Sequence, residues 1–354
     1  MSASKPTLRW GIIGTGLISS WFVQDLCLER ENAQASHIIQ VVGSSSVEKG
    51  NRFIDAHVQQ RQSRPPPLCA TYEQTYRDPD VDIVYIGTPH AFHKQNCLDA
   101  IAQGKHVLCE KPFALNAKEA REVFKAAGEK GVFVMEALWT RFFPLFEAFQ
   151  RVLHRDEAVG DVVRVFCDFA MNQSLSSLDA SSRLKNPALG AGSLLDIGIY
   201  SLTWGLAALD SQMGGKAQQP KIVAAQTLVD SIDVASAMIL LYPDGKQGIL
   251  TCNTSTKTPP VFCRVEGTKG HILVEGVASS APRSFTIYTP QTPEGQKYEF
   301  ERPGKGFYWE ADSVALDIAA GKTESVQLPW AETLRVLDML DEVRRQGGAK
   351  FPQD

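Results

Sequence analysis

Three short stretches of this 354-residue chain carry residue types that can do chemistry. In Cys109-Glu110-Lys111-Pro112 the lysine directly follows an apolar run, His106 to Cys109, and a proline fixes the backbone beside it, so its ammonium is aimed rather than free. An E-K-P tripeptide is also a common surface turn. In Gly192-Ser193-Leu194-Leu195-Asp196-Ile197-Gly198-Ile199-Tyr200 a carboxylate and a phenol four residues apart share one helix face; they are acid-base groups, or polar groups on a solvated face. In Gly87-Thr88-Pro89-His90-Ala91-Phe92-His93 the two histidines, with Cys97, have spacings that would let a loop and helix turn ligate zinc.

The elements that must position these residues have a βα rhythm. Leu8 to Gly14, Ile38 to Gly43, Val81 to Gly87, His106 to Cys109 and Val132 to Met135 read as strands, several of them β-branched and apolar throughout, as in a parallel sheet covered on both faces. Ile18 to Arg30 and Val47 to Gln60 read as the first helices, followed by a loop with Pro65, Pro66 and Pro67. The lysine and first histidine loops leave the C-terminal ends of strands, where open α/β sheets bind ligands. From Asp161 the pattern changes to extended segments with glycine turns: Ile222 to Val229, Ala235 to Tyr242, Gly248 to Thr254, Val261 to Glu266 and His271 to Val274. Helices are expected at Gly192 to Leu209, Trp309 to Ala320 and Ala331 to Gln346 on one face of that sheet. The fold class is α/β, an N-terminal doubly wound parallel Rossmann sheet in residues 1–140 and a largely antiparallel open sheet with helices in residues 141–354.

Gly14-Thr15-Gly16-Leu17-Ile18-Ser19 joins the first strand to the first helix. There a backbone without side chains can approach a pyrophosphate at a helix N-terminus, with Ser19 small enough to replace the usual third glycine. The second strand ends in Gly43-Ser44-Ser45-Ser46 without the carboxylate that would bind a ribose 2′-hydroxyl. Three hydroxyls with Lys49 or Arg52 nearby suit a 2′-phosphate, so NADP is expected over NAD, although the serines also suit a helix cap.

Composition narrows the classes. With 36 basic and 40 acidic residues the formal charge is −4 and basic runs are absent, which argues against a nucleic-acid partner. Apolar stretches are broken well before the roughly 20 residues of a bilayer span, and Met1 to Arg9 lacks an h-region, so no membrane partner and a cytoplasmic location are expected. The seven scattered cysteines contain no C-x-x-C pair and read as reduced thiols. Ala235 to Leu241 is apolar on both sides, which predicts a homodimer through the second sheet.

Taken together, T-P-x-x-x-H, E-K-P, the long Met135-Glu136-Ala137-Leu138-Trp139-Thr140-Arg141-Phe142-Phe143-Pro144 stretch, Leu194 to Tyr200 and the terminal Phe351-Pro352-Gln353-Asp354 resemble the Gfo/Idh/MocA oxidoreductase superfamily over essentially the whole chain. Within it, they look closest to the dimeric dihydrodiol dehydrogenases and NADP-dependent D-xylose 1-dehydrogenases. The resemblance implies that Lys111 and Tyr200 flank the reacting hydroxyl, with Tyr200 as acid-base group, Lys111 polarising the oxygen and Asp196 orienting the substrate. A free phenol titrates near about 10, and a neighbouring ammonium stabilises its phenolate. It also implies cofactor contacts from Thr88, Pro89, His93, Glu110, Pro112, Trp139 and Arg141, which removes the loop histidines from a metal role, and a substrate pocket with Trp139, Phe169 and Asn172. The implied substrate is a sugar or a trans-dihydrodiol. The superfamily also contains galactose-regulon repressors, non-catalytic NAD(P)-binding sensors, and these form the alternative reading.

Overall fold

The computed structural model describes residues 5–59, 61–62 and 66–354. The expectations at Met1 to Ser4, Gln60 and Pro65 lie outside the described residues. The chain forms two compact units: Met1–Ala114, Lys118–Phe142 and Arg302–Trp330 make the first, and Leu115–Ala117, Phe143–Glu301 and Ala331–Asp354 the second.

The first unit opens with β1 (Thr7–Ile13), α1 (Leu17–Leu26), β2 (Ser36–Gly43), α2 (Val47–His57), β3 (Leu68–Ala70), α3 (Tyr72–Arg77), β4 (Ile83–Ile86), α4 (His93–Ala102), β5 (His106–Glu110), α5 (Ala117–Lys130) and β6 (Val134–Ala137). The strands pair in parallel in the order β3-β2-β1-β4-β5-β6. This is the doubly wound order that reverses beside β1, where dinucleotides bind. Every residue of β4 and β6 is buried, as sheets covered on both faces require. The pattern missed β3 and α3, which are too short for a periodic signal.

The second unit carries α6 (Pro144–His154), β7 (Val162–Ala170), α7 (Ile199–Leu209), then β8 (Lys221–Val229), β9 (Ile232–Leu241), β10 (Gln247–Asn253), β11 (Val261–Gly267), β12 (His271–Ala278), β13 (Ala281–Thr289) and β14 (Thr292–Glu299). The eight strands run in the order β14-β13-β12-β11-β7-β10-β9-β8, antiparallel except for the β7–β10 pair. The sequence pattern missed β13 and β14; β14 is a largely exposed, polar edge strand, which breaks the expected alternation. Every residue of α7 is buried against β7 and β10, and Trp204 at its centre sits 5.0 Å from both Phe146 and Phe149 while donating to the Ser279 carbonyl at 2.7 Å. The helical stretch Pro187–Leu209 is long and apolar enough by composition to cross a membrane, contrary to the sequence reading, but nearly all of its apolar window is buried inside the protein.

The last two helices part company. α8 (Phe307–Ala319), expected with the second sheet, packs in the first unit, whereas α9 (Trp330–Gly347) packs in the second. Two buried carboxylates hold α8. Asp25 on α1 accepts from the backbone N–H groups of Lys305, Gly306 and Phe307 at 3.0, 2.6 and 2.9 Å, capping the helix. Asp312 accepts from both terminal nitrogens of Arg30 at 3.0 and 3.1 Å and contacts His37 Nε2 at 2.9 Å. α1 ends four residues before the expected Arg30. Aromatic packing completes the core: Phe22 stacks on Tyr85 at 3.8 Å and meets Phe307 edge-on at 6.1 Å.

Among the described residues of α8, the Tyr308 hydroxyl and the Glu310 carboxyl are buried without a hydrogen-bonding partner. Glu310 is fully buried, and neither of its oxygens has a hydrogen-bonding partner among the described residues. Burial first, then the Glu110 and Asp25 carboxylates, hold its carboxyl well above the ordinary range. A raised acid stabilises the fold in its protonated form, and that stability is lost as pH rises through the folded-state value. Glu310→Gln is therefore expected to melt like the wild type at acidic pH and above it as pH is raised beyond the ordinary carboxylate range, in a series of thermal melts across pH; parallel curves would contradict this.

Candidate active site

The phosphate turn begins where β1 ends. Gly14 has φ +93°, a conformation that a side chain would strain, and its N–H donates to the Gly43 carbonyl at 3.2 Å. Gly16 caps α1 with no side-chain hydrogen bond at that terminus, and Gly16 and Leu17 are exposed with Ile18 half-buried. Ser19 is buried against β4: a Cβ on Gly87 would fall 2.2 Å from its Oγ. An open helix N-terminus approached only by glycines fits a pyrophosphate.

At the end of β2 the three serines divide. Ser46 caps α2 by accepting from Lys49 N at 3.3 Å, and Ser44 is buried with its Oγ 3.5 Å from Ser46 N. Ser45, Lys49 and Arg52 are exposed, and Arg52 reaches Glu48 at 3.5 Å in a solvated pair. Two exposed serines and two exposed cations lie here, a set that fits a phosphate.

The lysine loop is held from three sides. Lys111 precedes Pro112 through a cis peptide bond. Behind it, Glu110 is buried, accepting from Tyr85 OH at 2.6 Å and from Lys111 N at 3.2 Å. Glu136 on β6, also buried, accepts from Phe113 N at 3.1 Å. His93 completes the brace: Nδ1 lies 2.9 Å from the Pro112 carbonyl and Nε2 lies 2.8 Å from the Thr88 carbonyl. Burial lowers its pKa against the pull of those two carbonyls. His93 thus ties the T-P-x-x-x-H loop to the E-K-P loop, and Asn96 adds a bond to Thr88 Oγ1 at 3.1 Å. Of the two residues expected as cofactor contacts, Glu110 is engaged by the Tyr85 phenol and the Lys111 amide, and His93 by two loop carbonyls. His90 is buried 5.7 Å from the His93 ring, and Pro89 is half-buried. Trp139 and Arg141 are buried in the first unit, where the indole stacks on Phe307 at 4.3 Å and 4°; one of its faces is thereby covered.

In the second unit the helix bearing Asp196 and Tyr200 starts with a wider π-turn over Leu194–Gly198 before continuing as α7, a distortion often found at functional sites. Asp196 accepts from Gln173 Nε2 at 3.1 Å and Arg183 Nη1 at 3.3 Å. Both partners lie in the 171–190 loop, and sequence reasoning named neither. The Phe169 ring meets Tyr200 edge-on at 5.7 Å. Asn172 is exposed, and its Oδ1 turns back to accept from Ser174 N at 3.1 Å, so in this conformation its side chain serves the loop. Each unit thus holds one group of polar residues in place: the lysine loop in the first, and a carboxylate and phenol at a helix start in the second.

The oxidoreductase family with NAD-binding Rossmann fold, GFO/IDH/MocA, matches residues 8–138, and the GFO/IDH/MocA C-terminal domain matches residues 150–273. D-xylose 1-dehydrogenase (NADP(+)) of Hypocrea jecorina is 32% identical, covering 100% of this chain and 95% of the relative. Trans-1,2-dihydrobenzene-1,2-diol dehydrogenase of Sus scrofa is 34% identical, covering 98% and 99%. Among solved structures, aldose-aldose oxidoreductase from Caulobacter crescentus complexed with glycerol superposes with a TM-score of 0.78 at 23% identity, over 97% of this chain and 98% of the other. Levoglucosan dehydrogenase in complex with NADH and levoglucosan gives 0.78 at 16%, over 97% of each. These two likenesses speak to the fold, whereas the family models and the full-length relatives establish kinship: the chain belongs to the GFO/IDH/MocA oxidoreductases and carries their NAD(P)-binding Rossmann domain.

Proposed function

We propose that this protein is an NADP-dependent dehydrogenase acting on a carbinol of a sugar-like substrate, an aldopyranose such as D-xylose or D-glucose at C1 or a trans-dihydrodiol. The observation that carries the reading is the brace around Lys111, in which Glu110, Glu136 and His93 spend buried polar groups on fixing one short loop. When bound, the nicotinamide supplies the hydride acceptor or donor. The chain's own residues manage the oxygen and its proton. In oxidation Tyr200 takes the hydroxyl proton while Lys111 stabilises the charge on that oxygen, and in reduction Tyr200 returns the proton. Asp196, aligned by Gln173 and Arg183, accepts from a neighbouring hydroxyl and orients the ring. An aldose oxidised at C1 would leave as its lactone.

Reduced-nicotinamide absorbance with NADP and each of D-xylose, D-glucose and a trans-dihydrodiol tests this directly. Tyr200→Phe is expected to lower kcat by roughly 10²–10⁴-fold with NADP binding unchanged. Tight NADP binding without turnover on any substrate would instead favour a sensor of the galactose-repressor type.

Preference for the 2′-phosphate is assigned to Ser45, Lys49 and Arg52. Arg52→Ala should raise the KM for NADP about tenfold, the loss of one charged hydrogen bond, and leave that for NAD nearly unchanged; equal effects on both cofactors would place the phosphate elsewhere.

We further assign the outer face of the second sheet to a homodimer contact. Register aligns Val223, Ile239, Ile249 and Phe166 across β8, β9, β10 and β7, and Val223 and Ile239 are 43% and 39% exposed. Sedimentation at micromolar concentration should give a dimer for the wild type and a monomer for Ile239→Arg.

A further inference from the structure

The helix that carries Asp196 and Tyr200 begins on a buried anion. Asp233, near the start of β9 and just beyond Asp230 and Ser231 with φ of +50° and +67°, is 2% exposed. Its Oδ2 accepts from Leu194 N at 2.6 Å, Ser193 Oγ at 2.8 Å and Ser236 Oγ at 3.3 Å. Gly192, at φ +148°, leaves room for it: a Cβ there would fall 2.2 Å from Asp233 Oδ1. Support continues outward, since Gln226 Nε2 on β8 donates to Ser236 Oγ at 3.0 Å and Cys252 on β10 packs its thiol 3.5 Å from Ser193 Oγ.

We propose that Asp233 is a positioning residue for the reaction: its carboxylate fixes the first turn of the catalytic helix, and through it the placement of Asp196 and Tyr200. A charge-assisted bond to the Leu194 amide is stronger than a neutral one, and an anion at a helix N-terminus is favoured by the helix dipole. The proposal rests on the roles given above to Asp196 and Tyr200.

The groups facing the carboxylate are the Leu194 amide, the Ser193 and Ser236 hydroxyls and the Cys252 thiol. None is a cation. Burial therefore prevails over the three hydrogen bonds and pushes the Asp233 carboxyl up to about 6. A raised acid contributes stability below its ordinary range and loses it as pH rises through about 6. At neutral pH the ionised group thus costs stability while holding the helix start.

This separates positioning from mere support. Asp233→Asn is expected to keep or raise the melting temperature at neutral pH and to bind NADP normally by calorimetry, yet to lose about tenfold in kcat/KM. The wild-type kcat profile should show an acid limb centred at about 6, absent in Asp233→Asn and moved to higher pH in Ser193→Ala, which loses a donor to the carboxylate. Amide exchange over Leu194 to Tyr200 should accelerate in Asp233→Asn, a readout independent of turnover. Wild-type kcat/KM and exchange in Asp233→Asn, or an unmoved limb in Ser193→Ala, would overturn the proposal. Full activity in Tyr200→Phe would instead overturn the catalytic assignment, with the exchange result still deciding whether Asp233 holds the helix.

Discussion

The capping of α8 by Asp25 is the contact on which the first unit closes. One carboxylate on α1 takes three backbone N–H groups at Lys305, Gly306 and Phe307, some 280 residues further along the chain. Burial raises its pKa against the opposing pull of the three backbone donors. Without an acceptor those amides would be orphaned at a buried helix end, a cost of about 1–3 kcal/mol each. Because α8 also delivers Phe307 to Phe22 and Trp139 and places Asp312 on Arg30, the cap fixes a segment that supports the nucleotide-binding sheet from behind.

The same device recurs wherever the protein needs an aimed side chain. Glu110 and Glu136 accept amides at the lysine loop, and Asp233 accepts one at the tyrosine helix. In each case the backbone of the loop or helix start is held by a buried acid of its own unit. The energetic logic is preorganisation: desolvating the acids is offset during folding, so the reaction itself meets groups already in place.

Much of the fold is legible in the sequence because it rests on local pattern. The βα rhythm and the glycine turn after β1 write themselves into neighbouring residues, and Gly14 in that turn has a positive φ of +93°. What was not legible depends on partners distant in sequence. Nothing near Glu136 signals that it holds Phe113, and neither Gln173 nor Arg183 has a motif around it that points to Asp196. The return of α8 to the first unit was equally hidden, since an amphipathic helix states that it has a buried face without stating which sheet covers it. The helix-cap reading of the serine run is legible as well: Ser46 accepts from Lys49 N, and Ser44 Oγ lies near Ser46 N.

The imidazole of His93, clasped between the carbonyls of Thr88 and Pro112, makes two loops that are separate words in the sequence into a single mechanical part. For anyone transplanting substrate or cofactor preference between relatives, the unit of exchange is therefore not the five residues around the lysine. A graft of those alone would arrive without its clamp. The piece that travels intact comprises the strand ends at Tyr85, Glu110 and Glu136 together with the first turn of α4, which makes the lysine loop an inheritance of the strands beside it.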